Sequence, residues 1–168
     1  PKNGSSWRGE QLTYLAKTLH ARNSSDEFLN LINSAKTELN ESSDYLNKEN
    51  SSKKKNIELL NKEFDRQRKL DPKLVANLAK AKSQGYESWQ NAKRNSDFKI
   101  FLPYFEELII LRREEANQLS DKLSPWETLA QPYEPDINKD WLFNIFNPLR
   151  ESIPSMLEEI KEIDKKKW

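Results

Sequence analysis

The side chains that could do chemistry are few in this chain. His20 is the only histidine among 168 residues, and there is no cysteine. A catalytic zinc centre usually takes several histidine or carboxylate ligands. We therefore interpret a single histidine near the end of the first predicted helix as structural or solvated. The lack of cysteine excludes disulfides, thiolate zinc sites and a cysteine nucleophile.

Adjacent glutamates are the next candidates, because carboxylates can hold metal ions. The pairs are Glu106/Glu107, Glu114/Glu115 and Glu158/Glu159. A di-metal helix bundle of the known kind needs Glu-x-x-His on two helices, and Lys17 stands three residues before His20. The sequence thus predicts no catalytic, no cofactor-binding and no metal-binding residue in this chain.

Phosphate-binding motifs are also missing. Gly4 and Gly9 have the spacing of a phosphate loop, but Glu10 stands where that loop requires lysine. Short lysine runs occur at residues 53–55 and 165–167, yet the net charge is only +1. Such a balance supplies no strong field for nucleic acid. A nucleic-acid-binding helical module is therefore the least favoured of three hypotheses, and we expect no nucleic-acid partner.

The elements around these residues are predicted to be helices. Apolar residues make up 35% of the chain and charged residues 33%, which is typical of surface-rich helical proteins. No apolar run approaches the length of a membrane span, and no signal peptide is visible, so we expect a cytoplasmic protein with no membrane partner. Residues 95–119 are the most apolar stretch and predict a central buried helix that begins or bends at Pro103. Its predicted inner face contains Phe98, Phe101, Leu102, Phe105, Leu108, Ile109 and Ala116.

Four helices are predicted before the central one. The first covers residues 7–21, and the second begins at Ser24 with a capping box to Glu27. The third helix ends in the basic segment RQRK, residues 66–69, and the fourth helix begins at Asp71-Pro72. Their predicted inner residues are, in order, Leu12, Leu15, Ala16 and Leu19; Phe28, Leu31, Ile32, Ala35 and Leu39; Ile57, Leu60 and Phe64; Leu74, Val75, Leu78, Tyr86 and Trp89.

The remaining segments are a polar stretch and two helices after the central one. Residues 40–55 are polar and predict an exposed helix end or a loop. Ser124 and Glu127 predict a capping box on a short helix, and residues 132–137 a rigid, extended, proline-rich corner. A last pattern from residue 138 has the alternating four-and-three spacing of a coiled-coil seam, with Pro148 and Pro154 predicting kinks or two helices. The seam residues are Leu142, Phe146, Leu149, Ile153, Met156, Ile160 and Ile163.

Together these patterns predict an all-α fold. We expect about six to seven helices in an antiparallel bundle, with residues 1–168 forming a single helical segment. The chain starts without methionine and stops at Trp168 directly after a helical pattern, so we expect the native protein to continue.

Three stretches resemble the amino-terminal third of the carboxypeptidase Taq family of zinc metallocarboxypeptidases. Residues 8–22, RGEQLTYLAKTLHAR, are similar to that family's opening helix. Residues 66–119 have its order of a proline-led helix, a tryptophan, Asn-x-Asp-Phe, Phe-x-Pro and Leu-x-x-Leu-Arg-Arg-Glu. Residues 125–160 resemble its short helix, Tyr-Glu-Pro corner and following helix. Asp136 and Trp126 depart from the glycine and tyrosine usual there, which affects local geometry only.

The resemblance implies the non-catalytic part of a larger enzyme. The family's zinc ligands and general base come from a His-Glu-x-x-His helix and a further glutamate, and none of these motifs is in this chain. The intact homodimeric parent would release single amino acids from peptide carboxyl termini. This segment would form a wall or lid of the substrate groove and contact the remainder of its own polypeptide. The alternative is a standalone helical interaction module that uses residues 142–163 as its partner face.

Overall fold

The chain is almost entirely helical. The computed structural model describes residues 4–41, 48–120 and 122–167. These residues contain seven α-helices, a short 3₁₀ helix and no strand, so the all-α prediction is confirmed. The helices are α1 (Ser5–Asn23), α2 (Asp26–Glu41), α3 (Lys48–Lys69), α4 (Pro72–Asn95), the 3₁₀ helix Phe98–Ile100, α5 (Leu102–Leu119), α6 (Pro125–Ala130) and α7 (Lys139–Lys167). They fall into two compact units, residues 1–121 and 122–168.

The core of the first unit is built on α4, which packs against α1, α5 and the 3₁₀ helix. This helix begins as predicted, because the Asp71 carboxylate accepts a hydrogen bond of 2.6 Å from the backbone N–H of Lys73 and Pro72 occupies the first turn. The backbone N–H of Asp71 also donates to Gln118 near the end of α5, at 2.8 Å. The start of α4 therefore lies beside the end of α5. The buried core consists of Leu70, Leu74, Leu78, Ala81, Leu111 and Leu119, with Val75 and Leu108 packed against it.

The second half of α4 buries small residues rather than large ones. Ala81, Gly85, Ser88 and Ala92 are buried at helical spacing. A Cβ atom on Gly85 would lie 3.0 Å from Cδ1 of Leu108, and the Ser88 hydroxyl donates to the Ile100 carbonyl at 2.7 Å. Small side chains therefore let α5 and the 3₁₀ helix approach the α4 backbone closely.

The predicted inward positions of Tyr86 and Trp89 are wrong. Both side chains are exposed, with ring centroids 5.9 Å apart and ring planes tilted by 32°. The amine of Lys93 lies 5.4 Å from the Trp89 ring centroid. Large aromatic residues within the small-residue face would hold the helices apart, so these two rings lie beside that face rather than in it.

Helix α1 packs antiparallel to α4 through a face that hydrophobic periodicity did not predict. Gly9 and His20 are buried, with Thr13 and Ala16 half-buried on the same side. Gly9 lies 3.7 Å from Ser83 on α4. The predicted inner residues Leu12, Leu15 and Leu19 are exposed, so that prediction is wrong except at Ala16.

Helices α2 and α3 form a hairpin. Phe28 and Phe64 meet with ring centroids 6.4 Å apart, and Ile32 is buried while Leu31 and Ala35 are exposed. The capping residue of α2 is Ser25, whose hydroxyl accepts from the Phe28 N–H at 3.1 Å. The predicted Ser24 capping box is therefore wrong. The polar stretch supplies the end of α2 and the start of α3, and residues 42–47 lie outside the described part.

The first half of the central helix is less buried than predicted. As predicted, Pro103 lies in the first turn of α5, and Asp97 caps the 3₁₀ helix that precedes it. Leu111, Glu115, Ala116 and Leu119 are the buried residues of α5. The cluster of Phe98, Phe101 and Phe105 has Phe101 half-buried and the other two exposed.

The second unit begins with the predicted capping box. Ser124 and Glu127 cap each other at the start of α6, and Glu127 Oε1 also accepts the Lys139 N–H at 3.0 Å at the start of α7. Residues 131–136 form turns rather than an extended corner, and Asp136 has a left-handed φ of 67°. Helix α7 is one helix containing both Pro148 and Pro154, so the two-helix alternative is wrong. No helix among the described residues could cross a membrane.

The left-handed backbone at Asp136 generates a test. Asp136→Val places a β-branched residue at a positive φ, which should cost roughly 1–2 kcal/mol of stability in the second unit. Asp136→Gly should stay within about 0.5 kcal/mol of the original chain, because glycine relieves strain but adds freedom to the unfolded chain. Urea unfolding followed by circular dichroism measures both, and equal stability of the two variants would contradict the assignment.

Candidate functional site

Polar side chains at the end of α3 connect it to three other helices. Arg66 donates to Glu115 of α5 at 3.1 Å, Gln67 bonds to His20 of α1 at 3.1 Å, and Arg68 pairs with Asp26 of α2 at 3.0 Å. We call these six residues the α3 junction. The sequence predicted only a helix end at residues 66–69. In the structure this segment is the point where α1, α2, α3 and α5 meet.

Glu115 is the buried charge of this junction. Its Oε1 atom accepts from Arg66, and its Oε2 atom accepts from Nη1 of Arg112 one turn earlier. The Glu115 side chain is only 8% exposed. A buried carboxylate is tolerated when both oxygens are bonded to cations in this way.

Lys82 adds a further positive charge near Glu115. Burial lowers the pKa of the Lys82 amine, the charge of Arg112 lowers it further, and Glu115 opposes the change. Arg66 and Arg112 thus bond directly to this carboxylate, and Lys82 interacts with it electrostatically. The positive charges compensate the buried negative charge of Glu115.

His20 occupies a structural position within the junction. It is buried, and its Nδ1 atom faces the amide oxygen of Gln67, which can only accept, so Nδ1 carries the proton. The amide nitrogen of Gln67 donates to Glu63 at 2.6 Å and so fixes the amide orientation. The His20 carbonyl accepts from the Ser24 hydroxyl at 2.8 Å. This histidine joins the end of α1 to α3.

The glutamate pairs do not converge on a metal site. Neighbouring residues on a helix point in different directions: Glu115 is buried, whereas Glu114 is exposed and accepts from Gln118. Glu106 and Glu107 are exposed, and Glu158 pairs with Lys161 at 2.7 Å. Across residues 4–41, 48–120 and 122–167, no three His, Asp or Glu side chains could hold a metal ion together. The donors that the structure describes do not fit a catalytic zinc centre.

The phosphate-binding candidates are likewise dispersed. Gly9 lies within α1 against α4 rather than in a loop. Lys55 pairs with Glu58 at 3.8 Å along α3, and the side chains of residues 165–167 lie outside the described part. The groove between α2 and α3 is wide open, and its lining is mixed, with Ala35, Glu38, Leu39, Asn50, Lys53, Asn56 and Ile57. It lacks the enclosure of a small-molecule site.

Known proteins match the chain over nearly its whole length. The family model described as carboxypeptidase Taq (M32) metallopeptidase matches residues 1–167. Carboxypeptidase 1 of Bacillus subtilis is 28% identical over 160 residues, which is 95% of this chain and 30% of the relative. Thermostable carboxypeptidase 1 of Thermus thermophilus is 26% identical over 170 residues, which is 95% of this chain and 32% of the relative. The chain thus spans about a third of the length of its curated relatives.

Solved structures give the same extent of similarity. The crystal structure of BsuCP superposes with a TM-score of 0.85 at 26% identity, covering 96% of this chain and 31% of that one. A metallocarboxypeptidase 1 of Trypanosoma cruzi has a TM-score of 0.74 at 24% identity, covering 99% of this chain and 32% of that one, which shows the shared fold. The helices described above therefore match about one third of larger helical proteins.

The buried carboxylate generates a prediction with a matched control. Glu115→Ala leaves Arg66 and Arg112 without their shared partner and should lower the free energy of unfolding by roughly 3 kcal/mol. Glu114→Ala removes the exposed neighbouring carboxylate and should change it by less than about 0.5 kcal/mol. Urea unfolding of both variants measures the difference. A Glu115→Ala loss no larger than the control's would show that the junction does not stabilise the fold.

The lowered pKa of Lys82 generates a prediction about pH. The folded chain binds this proton less tightly than the unfolded chain, so stability from this group rises as pH increases toward the ordinary value of 10.5. Lys82→Met should remove that slope and raise stability at neutral pH by less than about 1 kcal/mol. Lys80→Met, two residues earlier on the same helix, removes the same charge and should leave the slope unchanged. Unfolding free energies measured from pH 7 to pH 10 test this, and unchanged slopes in both variants would contradict it.

Proposed function

The chain belongs to the carboxypeptidase Taq (M32) family, and we propose that it is the non-catalytic amino-terminal segment of a larger metallocarboxypeptidase. The observation that carries this proposal is the match of residues 1–167 to the family model, together with relatives about three times as long. The names of those relatives support an enzyme that releases amino acids from peptide carboxyl termini.

The parent enzyme would hold its zinc ion outside this segment. The described residues include no group suited to a metal, so the ligands and the general base belong to the remainder of the polypeptide. Zinc would supply an activated water for peptide hydrolysis. We propose that the parent is a cytoplasmic homodimer whose substrates are peptides.

The role proposed for residues 1–168 as one segment is to form a wall or lid of the substrate groove. A wall must be rigid and must exclude water from the reacting bond. The α3 junction, in which Glu115 and His20 are buried, joins α3 to α1, α2 and α5 and supports the rigidity. The exposed apolar residues of α1 and α7 support contact with further protein.

A standalone helical interaction module is the second candidate, favoured by the exposed seam of α7. Light scattering on the chain distinguishes the two. A self-contained module should form one defined oligomer, whereas a segment without its remaining polypeptide should self-associate without defined stoichiometry.

Activity measurements test the proposal directly. The 168-residue chain with added zinc should release no amino acid from a peptide, whereas the parent protein should release single carboxyl-terminal residues and lose this activity on chelation. A parent without activity at any metal loading would contradict the proposed enzyme. For the wall, a photoreactive peptide inhibitor bound to the parent should label residues within 1–168, and labelling confined to other residues would contradict it.

A further inference from the structure

Lys82 lies at the edge of the contact between α4 and α5. It follows Ala81 on α4, and Arg112 follows Leu111 on α5. Ala81 and Leu111 belong to one buried core, which brings these parts of the two helices together. The Lys82 amine interacts electrostatically with both Arg112 and Glu115. The amine and the Arg112 guanidinium are therefore neighbours at the place where the two helices meet.

Both cations have hydrogen-bonding capacity left over. Within the part of the chain that the structure describes, the Lys82 amine makes no hydrogen bond or ion pair. Arg112 bonds to Glu115 through Nη1, and its Nε and Nη2 atoms have no hydrogen-bond partner among the same residues. Lys82 is exposed, and the Arg112 side chain is 34% exposed. A small molecule in solution can therefore reach both groups.

The Lys82 amine is suited to act as a nucleophile. Only the neutral form of an amine has a free electron pair. Burial and the charge of Arg112 lower the pKa of this amine, so more of it is neutral at pH 7 than in an ordinary lysine. Loss of water and a neighbouring cation activate nucleophilic lysines in the same way.

Arg112 supplies the binding group for an anion next to this nucleophile. A guanidinium binds phosphate oxygens through two parallel N–H donors. The Nε and Nη2 atoms of Arg112 form such a pair, since Glu115 is bonded to the remaining nitrogen. A phosphate group on this side of the guanidinium would be held near the Lys82 amine.

We propose that Lys82 and Arg112 form an acylation site whose substrate is an acyl phosphate. Such a molecule joins the anionic group that Arg112 binds to the electrophilic carbon that the amine attacks. The Lys82 nitrogen forms a bond to the carbonyl carbon, and the bond from that carbon to the phosphate oxygen breaks. Inorganic phosphate leaves with the electron pair of that bond, and the proton that the nitrogen loses passes to water. The product is a neutral amide on Lys82.

This modification is separate from peptide hydrolysis and goes beyond the proposed function. It uses two residues of α4 and α5 and requires nothing from the remainder of a longer polypeptide. Acylation removes the positive charge of Lys82, and with it the repulsion between that charge and Arg112. The modified contact between α4 and α5 then contains Glu115 with its two bonded arginines and no third, poorly solvated cation.

Two lysines on one helix provide the first test. The 168-residue chain is incubated with acetyl phosphate at neutral pH, and acetylation is followed by mass spectrometry of the peptide that ends at Glu87. In the folded chain Lys82 should react at least about fivefold faster than Lys80, and in urea the two rates should agree within about twofold. Equal rates at the two lysines of the folded chain would overturn the proposal.

A matched pair of arginine variants tests the binding group. Arg112→Gln should slow acetylation of Lys82 by acetyl phosphate at least about threefold. Arg113→Gln removes the same charge from the next, exposed residue and should leave the rate unchanged. Circular dichroism checks that both variants remain helical. An unchanged rate in a helical Arg112→Gln variant overturns the assignment of Arg112.

Competition by inorganic phosphate tests the same point in the unaltered chain, so it holds even if Arg112→Gln does not fold. Phosphate should slow the reaction of Lys82 with acetyl phosphate at least about threefold, relative to sodium chloride of the same ionic strength. It should slow neither the reaction of Lys80 nor the acetylation of Lys82 by the uncharged donor N-acetylimidazole. Lack of competition at Lys82, or equal slowing of both lysines, overturns the acyl phosphate site.

Discussion

The first unit depends on one buried carboxylate. Glu115 is taken out of water near the end of α5, and that is tolerable only because Arg66 and Arg112 bond to both of its oxygens. Arg66 belongs to α3. Because Glu115 needs Arg66 as a partner, the end of α3 must lie beside Glu115 of α5. Gln67 and Arg68, the next two residues, bond to His20 of α1 and Asp26 of α2, while the Phe28–Phe64 contact packs α2 on α3.

Helix starts were predictable from the sequence because capping is a local interaction. Asp71 with Pro72, Ser124 with Glu127, and Pro103 each act within one turn of their own helix. Helix faces were less predictable. The first unit buries Gly9, Ala81, Gly85 and Ala92, where close backbone approach replaces large side chains. Periodicity of large apolar residues therefore selected an adjacent, exposed side of α1 and of the second half of α4.

Some features of the candidate site could be predicted from the sequence and others could not. Residue types predicted no catalytic motif in this chain, and that stays a prediction. The resemblance predicted the family correctly, because it compares whole stretches rather than single side chains. The α3 junction could not be predicted, since its partners lie far apart in sequence, with Arg66 paired to residue 115. The one available signal was a run of hydrogen-bonding side chains in RQRK, directly before the buried Leu70. Distinguishing that run from a solvated helix end requires knowledge of which helices are neighbours.

The packing of α1 on α4 also has a consequence for synthesis. Gly9 contacts Ser83, so the ribosome must add roughly seventy residues after α1 before its partner exists, which takes about 4–15 s at ordinary elongation rates. During that time the face of α1 that contains Gly9, Ala16 and His20 has no cover from α4, whereas Leu12, Leu15 and Leu19 are exposed in the folded chain as well. The nascent chain thus passes through a period in which chaperone binding competes with aggregation. The duration of that period is set by the number of residues between α1 and α4.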